Sequence, residues 1–383
     1  MEVSSSLFQF KLAGIDENLS FKDKLWDRLL YSKDSNLPVA TACFSIGDYF
    51  LSAKKFLKEN KYKTLLDGLS STLQRNIKTI EITRILISLE KHGPFYHPIK
   101  VMVSTQNDES ALFVLNGAVS DMGLAIIENE YQNLIELKGT MFVPKVFGMG
   151  FVESEKGRTG FFLAQWFDKF EEFHGVKIDG EGKTRLGILN SNGTFSILSD
   201  LEAFEIYKRI SEILTLYYDL KSFKQIFPWH HAAGDFVVRI EQGKIDVKLI
   251  TVRGYGVLME PDDKNKLLGL LFFFLNLSLR MRIDRNKGTQ EYIFLDKIVV
   301  KATIEGFLKG LETNLAKNFN TDQNDPGFFN VFMDFLKELD LANLFNLFTM
   351  ISGSYNSEAP ETEILEKNLY NHAEEVFKIV KKF

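Results

Sequence analysis

The sequence predicts an α+β chain, and three observations lead there. Strand-like runs are confined to residues from about 80 to Phe167; helical spacing dominates on both sides. A two-stranded hairpin interrupts the second helical stretch, between Phe227 and Gly256. The expected organisation is a helical N-terminal extension over 1–78, a small antiparallel sheet with one helix over 79–170, and a mainly helical region over 171–383 with its hairpin at 227–256.

Residues 1 to about 78 carry Lys, Leu and Phe at helical spacing, as in Phe50-Leu-Ser-Ala-Lys-Lys-Phe-Leu57. From about 80 the period changes. Ile82-Thr-Arg-Ile-Leu-Ile-Ser-Leu89 and Ile99-Lys-Val-Met-Val-Ser104 read as strands, and Leu112-Phe-Val-Leu-Asn-Gly-Ala-Val119 as a third after a polar turn at Gln106–Ser110. Ile126, Ile127, Glu130, Leu134 and Leu137 fall on one broad helical face that ends at Gly139. Two more strands, Val143–Gly148 and Phe161–Phe167, flank the turn Glu155-Lys-Gly-Arg-Thr-Gly160. Beyond Glu171 the pattern is mostly helical: Leu201 to Leu220, then segments near 263–283, 297–317, 328–348 and 361–382.

Composition bounds the function classes. With 383 residues the chain has enough length for a sizeable core, and 45% hydrophobic with 25% charged residues is ordinary for a globular protein. The 35 Phe residues favour a heavily aromatic core or a Phe-lined groove. Lys and Arg number 46 against 51 Asp and Glu, with no long basic stretch, so nucleic acid is not an expected partner. Cys43 is the single cysteine, which excludes an intrachain disulfide and a Cys-rich zinc site and fits a reducing compartment. No signal-peptide pattern opens the sequence. The longest apolar run, Leu267 to Leu279, has 13 residues before Arg280 and Arg282, too few to span a bilayer. A cytoplasmic location is the expectation.

Chemistry-bearing residues concentrate at Phe227-Pro-Trp-His-His-Ala-Ala-Gly-Asp-Phe-Val-Val238 and the returning Lys244-Ile-Asp-Val-Lys-Leu-Ile-Thr-Val-Arg253. With Phe113-Val-Leu-Asn116, Glu130-Tyr-Gln-Asn-Leu-Ile-Glu-Leu137 and Val143-Pro-Lys-Val-Phe-Gly148, this layout resembles the two-lobed protein-kinase-like fold, in its aminoglycoside phosphotransferase and choline kinase branch. The resemblance spans roughly residues 80 to 350, with no motif complete. It implies an ATP- and magnesium-dependent phosphotransferase site, and each position can be compared with what that chemistry requires.

A third-strand lysine paired with a helix glutamate should hold the nucleotide phosphates. Glu130 matches the glutamate, but Asn116 stands at the lysine position and brings a hydrogen bond without charge. Lys100, one strand back, could substitute; an exposed strand lysine is its plainer role. The base position falls on His230 and the metal-binding asparagine position on Asp235. A hydrogen-bonded loop histidine and a turn-capping aspartate are the alternatives. The second metal-binding aspartate is replaced by Thr251-Val-Arg253, so Arg253 puts a cation where magnesium would sit, or itself holds a phosphate.

The turn between the first two strands keeps Gly93 alone, with Lys91, His92, Tyr96 and His97 around it. His92, His97, His230 and His231 would flank one cleft, as a metal site or as ordinary hydrogen-bonding residues. Gln165–His174 supplies aromatics for a planar ligand or for packing. Phosphate-loop, nucleophile-elbow and zinc-helix motifs are absent. Three functions follow as expectations: a kinase-like protein with a degenerate site that binds a small molecule or protein without catalysis, an atypical small-molecule phosphotransferase, or a structural protein forming a homodimer.

Overall fold

Strand alternation in the first half of the chain becomes one six-stranded sheet, in the order β1-β2-β3-β4-β6-β5. The computed structural model describes residues 7–30, 44–90, 93, 95–178, 183–190, 192–227, 232–260, 265–318, 326–355 and 359–383. The chain separates after Asp168 into two units, each with its own core.

In the first unit, β1 (Phe8–Leu12) precedes α1 (Ile46–Leu73), followed by β2 (Ile82–Leu89), β3 (His97–Thr105), β4 (Ser110–Ala118), α2 (Asp121–Glu136), β5 (Val146–Ser154) and β6 (Gly157–Gln165). All pairings are antiparallel except β1 with β2, which run parallel from Phe8↔Ile85 to Leu12↔Leu89. The sheet is therefore mixed. Strand β1 corrects the expectation of a purely helical extension. Its sequence, Phe-Gln-Phe-Lys-Leu, alternates with period two, a signal too short to stand out beside the long helical pattern that follows.

Both faces of this sheet are covered. On one, Tyr49 and Phe56 of α1 lie with ring centres 5.4 and 5.7 Å from Phe161. On the other, Tyr131 of α2 lies 6.0 Å from Phe162. Adjacent strand residues point to opposite faces, and so Phe161-Phe162-Leu163-Ala164 is fully buried as a continuous apolar run. Close approach of α1 requires Gly117: a Cβ there would lie 2.2 Å from the Tyr49 hydroxyl and 2.4 Å from the Phe161 ring. That hydroxyl donates to the His97 carbonyl oxygen at 2.5 Å.

A capping box starts α1, with Asp48 N–H donating to Ser45 Oγ and Ser45 N–H to the Asp48 carboxylate. Midway the helix breaks. Asn60, Lys61 and Tyr62 take φ values of 48°, 57° and 66°, three consecutive left-handed residues without a glycine. Each costs about 1–2 kcal/mol against the right-handed form, somewhat less for Asn. Tyr62 then stacks on Phe8 of β1 at 6.4 Å, so the break helps to seat the sheet's edge strand.

The second unit opens with an antiparallel sheet of β7 (Phe173–Ile178), β8 (Lys183–Leu189) and β9 (Phe195–Ile197). Helical spacing did not foretell it; Asn192-Gly193 between Leu189 and Phe195 was the available turn signal. Then follow α3 (Asp200–Leu216), β10 (Lys224–Ile226), the single turn α4 (Ala232–Asp235), the hairpin β11 (Phe236–Glu241) and β12 (Lys244–Leu249), and β13 (Tyr255–Val257), paired with β10. Next are α5 (Lys266–Arg280), the short pair β14 (Ile283–Arg285) and β15 (Tyr292–Phe294), and α6 (Ile298–Asn318), α7 (Pro326–Glu338), α8 (Leu341–Gly353) and α9 (Thr362–Val380).

Helices α3 and α6 form the spine. Gly306 of α6 passes so close to α3 that a Cβ would lie 2.1 Å from the Lys208 carbonyl oxygen. Ser211 Oγ donates to Thr303 O at 2.7 Å, and Asn314 Nδ2 to Thr215 O and Tyr218 O at 3.0 and 2.7 Å. The apolar run Leu267–Leu279 lies within α5, with Leu270, Leu271, Phe274, Leu275 and Leu279 buried. Among the described residues, no helix is long and apolar enough to cross a membrane. Cys43 lies outside them.

Candidate functional site

The sequence-predicted positions fall into both units, and each set has its own geometry. In the first unit, strand register fixes which side chains share a face. Asn116 pairs with Pro98 and Phe162, and Lys100 with Val114, so Asn116 and Lys100 project to the face covered by α2. Glu130 belongs to that helix, on the stripe Gly123, Ile127, Glu130, Leu134 that is buried, and is itself fully enclosed. Ser120 caps α2 by accepting the Gly123 N–H at 3.1 Å. The three residues thus occupy one layer. Lys100 is half-buried, with its ammonium 4.8 Å from the centre of the Trp166 ring. A tryptophan face attracts a cation and holds it in place.

His97 requires a correction. It was grouped with the cleft histidines, but it is the first residue of β3 and pairs with Gly117, whose face is that of α1. Fully buried there, it meets Tyr49 edge to face at 5.8 Å, on the opposite side of the sheet from Asn116. Gly93 donates its N–H to Tyr96 O at 3.1 Å. Lys91, His92, His230 and His231, the candidate base among them, lie outside the described residues.

In the second unit, the hairpin β11–β12 carries the decisive pair. Asp235 ends α4 and is 2% exposed. Its backbone oxygen accepts the Ile250 N–H at 2.8 Å, which ties the turn before β11 to the residue after β12. From the loop beyond that return strand Arg253 reaches back, and its Nη1 donates to Asp235 Oδ1 at 3.0 Å. Charge-assisted bonds of this kind are among the stronger ones. The guanidinium stands beside the carboxylate that the resemblance assigns to a metal. Thr251, at the position that the resemblance gives to the second aspartate, is buried and offers only a hydroxyl.

Among the described residues this donor set does not fit magnesium. The ion requires several hard oxygen ligands, whereas Asp235 is one carboxylate already neutralised by a fixed cation. Among the described residues, no group of three or more His, Cys, Asp or Glu could hold a metal. The segment Gln165–His174 divides its aromatics between local tasks. Trp166 lies under Lys100 within the first unit; in the second, Phe170 lies 4.7 Å from the Arg239 guanidinium and 5.8 Å from the Lys248 ammonium, and Phe173 packs against Tyr207.

Sequence reasoning overlooked a second polar cluster. Asp284 of β14, fully buried, accepts the Gly175 N–H at 2.5 Å and the Arg285 N–H at 2.7 Å, with His174 Nδ1 3.8 Å from its other side. Burial and the Asp284 charge together raise the Tyr207 phenol well above its ordinary pKa. No run of residues could signal this, because its members come from separate elements. No protein-family model and no curated protein sequence matches the chain.

Proposed function

We propose that the chain is a kinase-like protein that has given up ordinary phosphotransfer and acts by binding, as a ligand-binding or scaffolding protein. The ion pair of Asp235 with Arg253, at 3.0 Å, carries this reading. Phosphoryl transfer depends on metal ions and positioned cations that neutralise developing charge. Here the one aspartate assigned to the metal is committed to an internal arginine, Thr251 replaces the second, and Asn116 replaces the lysine. The order of three strands, a helix bearing Glu130 and two strands supports the kinase-like part.

Calorimetric titration of ATP with and without magnesium tests it. The expected result is no magnesium-dependent gain in nucleotide affinity and no turnover with small hydroxylated acceptors. Magnesium-dependent ATP binding together with turnover would overturn it. One observation favours a second reading, an atypical phosphotransferase: Lys100 shares the sheet face of Asn116 and could supply the missing charge. That reading requires Lys100→Ala to weaken nucleotide binding and Asp235→Ala to abolish its metal dependence.

A further inference from the structure

A separate concavity lies wholly within the second unit and shares no residue with the Asp235–Arg253 pair. Its walls include Lys183 at the start of β8, Arg282 just after α5, Asp296 and Lys297 between β15 and α6, and Asn371 and Glu375 of α9. Its volume is about 370 Å³, within the range of small-molecule sites, and it opens broadly to solvent.

Arg282 is its most constrained member. The side chain is 8% exposed, its Nε donates to Leu295 O at 2.5 Å, and its guanidinium carbon lies 4.2 Å from the Phe294 ring centre. A carbonyl at one edge and a ring on one face hold the planar head in a single orientation. Neither partner is an anion. Among the described residues Arg282 forms no ion pair, and its Nη1 is enclosed without a hydrogen-bond partner. Burial pushes its pKa down to about 10, against the opposing pull of Asp296 and Glu375. A buried guanidinium without a directly paired anion is costly, and its fork geometry matches a carboxylate or phosphate.

Asp296 and Glu375 compensate this charge from a distance, but neither contacts the guanidinium. Asp296 accepts the Ile298 N–H at 3.1 Å, and Glu374 is paired with Lys378 at 2.8 Å. Lys183 and Lys297 form no ion pair among the described residues. Three cationic and three anionic side chains line the walls, and among the described residues only Glu374 of the six is ion-paired, and Arg282 is the one enclosed cation facing the space. Glu375 and Glu374 would repel a polyanion, so a compact anion with a single head fits better.

We propose that this pocket binds a small oxyanion, the phosphate or carboxylate head of a small molecule, with Arg282 as its anchor and Lys183 and Lys297 as flanking cations. Titration calorimetry on the full chain at constant ionic strength, with inorganic phosphate in one arm and acetate in the other, tests it. At least one anion should bind with a Kd in the millimolar range or tighter, and the arm that responds assigns the head group. The double variant Lys183→Ala/Lys297→Ala, whose positions are peripheral to the core, should weaken binding about three- to tenfold. Arg282→Gln should abolish it. Circular dichroism shows whether Arg282→Gln remains folded; if it does not, the lysine variant alone decides. No binding of either anion, or an unchanged Kd in the lysine variant, overturns the proposal.

Discussion

Two buried residues show how strongly a local partner sets the chemistry of a side chain. Asp235 is almost fully enclosed, and Arg253 is its compensating charge. Removing the arginine leaves a buried carboxylate without that cation. Arg253→Ala should therefore lower stability by about 2–3 kcal/mol, below the largest losses for buried pairs because the arginine is partly solvated. Urea denaturation of the variant beside the unmodified chain measures it. His372 of α9 is fully buried, and desolvation, reinforced by the Arg282 charge, depresses its pKa well below the ordinary value. Its folded-state pKa lies below its unfolded value, so the unfolded chain binds the extra proton first. The stabilising contribution is present above about pH 6.5 and is lost as pH falls toward the folded pKa. Between pH 6.5 and pH 5 the stability of the unmodified chain should fall with an added slope of up to about 1.4 kcal/mol per pH unit from this group. His372→Gln should flatten that slope in a series of thermal melts.

At the scale of elements, close approaches depend on particular small residues. Gly117→Ala would drive a methyl into Tyr49 and Phe161, and a loss of about 1–3 kcal/mol is expected from overpacking. The opposite sign is expected in the α1 break, where Lys61→Gly relieves a left-handed conformation at the cost of unfolded-state entropy, for a net gain of about 0.5–1 kcal/mol. Paired denaturation curves distinguish the two. The same elements show what was legible beforehand. Strands β2, β3, β4 and β6 and helix α2 were read from period and turn residues because each is long and carries its signal locally. Strand β1 and the β7–β9 sheet escaped because short strands derive their stability from distant partners. For the candidate site, Asp235 and Arg253 were identifiable as neighbours because one hairpin joins them. The face occupied by His97 was not, since it follows from where β3 begins rather than from residue type.

On the scale of the whole molecule, each unit buries its own aromatic core, around Tyr49, Phe50, Phe113 and Phe161 in the first and Tyr207, Phe274, Phe307 and Phe332 in the second. Residues 1–168 expressed alone should therefore melt cooperatively, as followed by near-ultraviolet circular dichroism; a featureless melt would count against autonomy. The parallel pairing of Phe8 with Ile85 gives this unit a kinetic history as well. During synthesis the strand containing Phe8 emerges roughly 4–15 s before its partner, at ordinary ribosomal rates. Until then a Phe-Gln-Phe-Lys-Leu segment remains unsatisfied in the nascent chain, and once β2 has joined β3, the outer rim of β2 stays open until β1 returns. Such a rim is a template for pairing with other chains. The opening residues thus act as a late-closing seam, and their loss would register as aggregation during expression before it registered in any assay of binding.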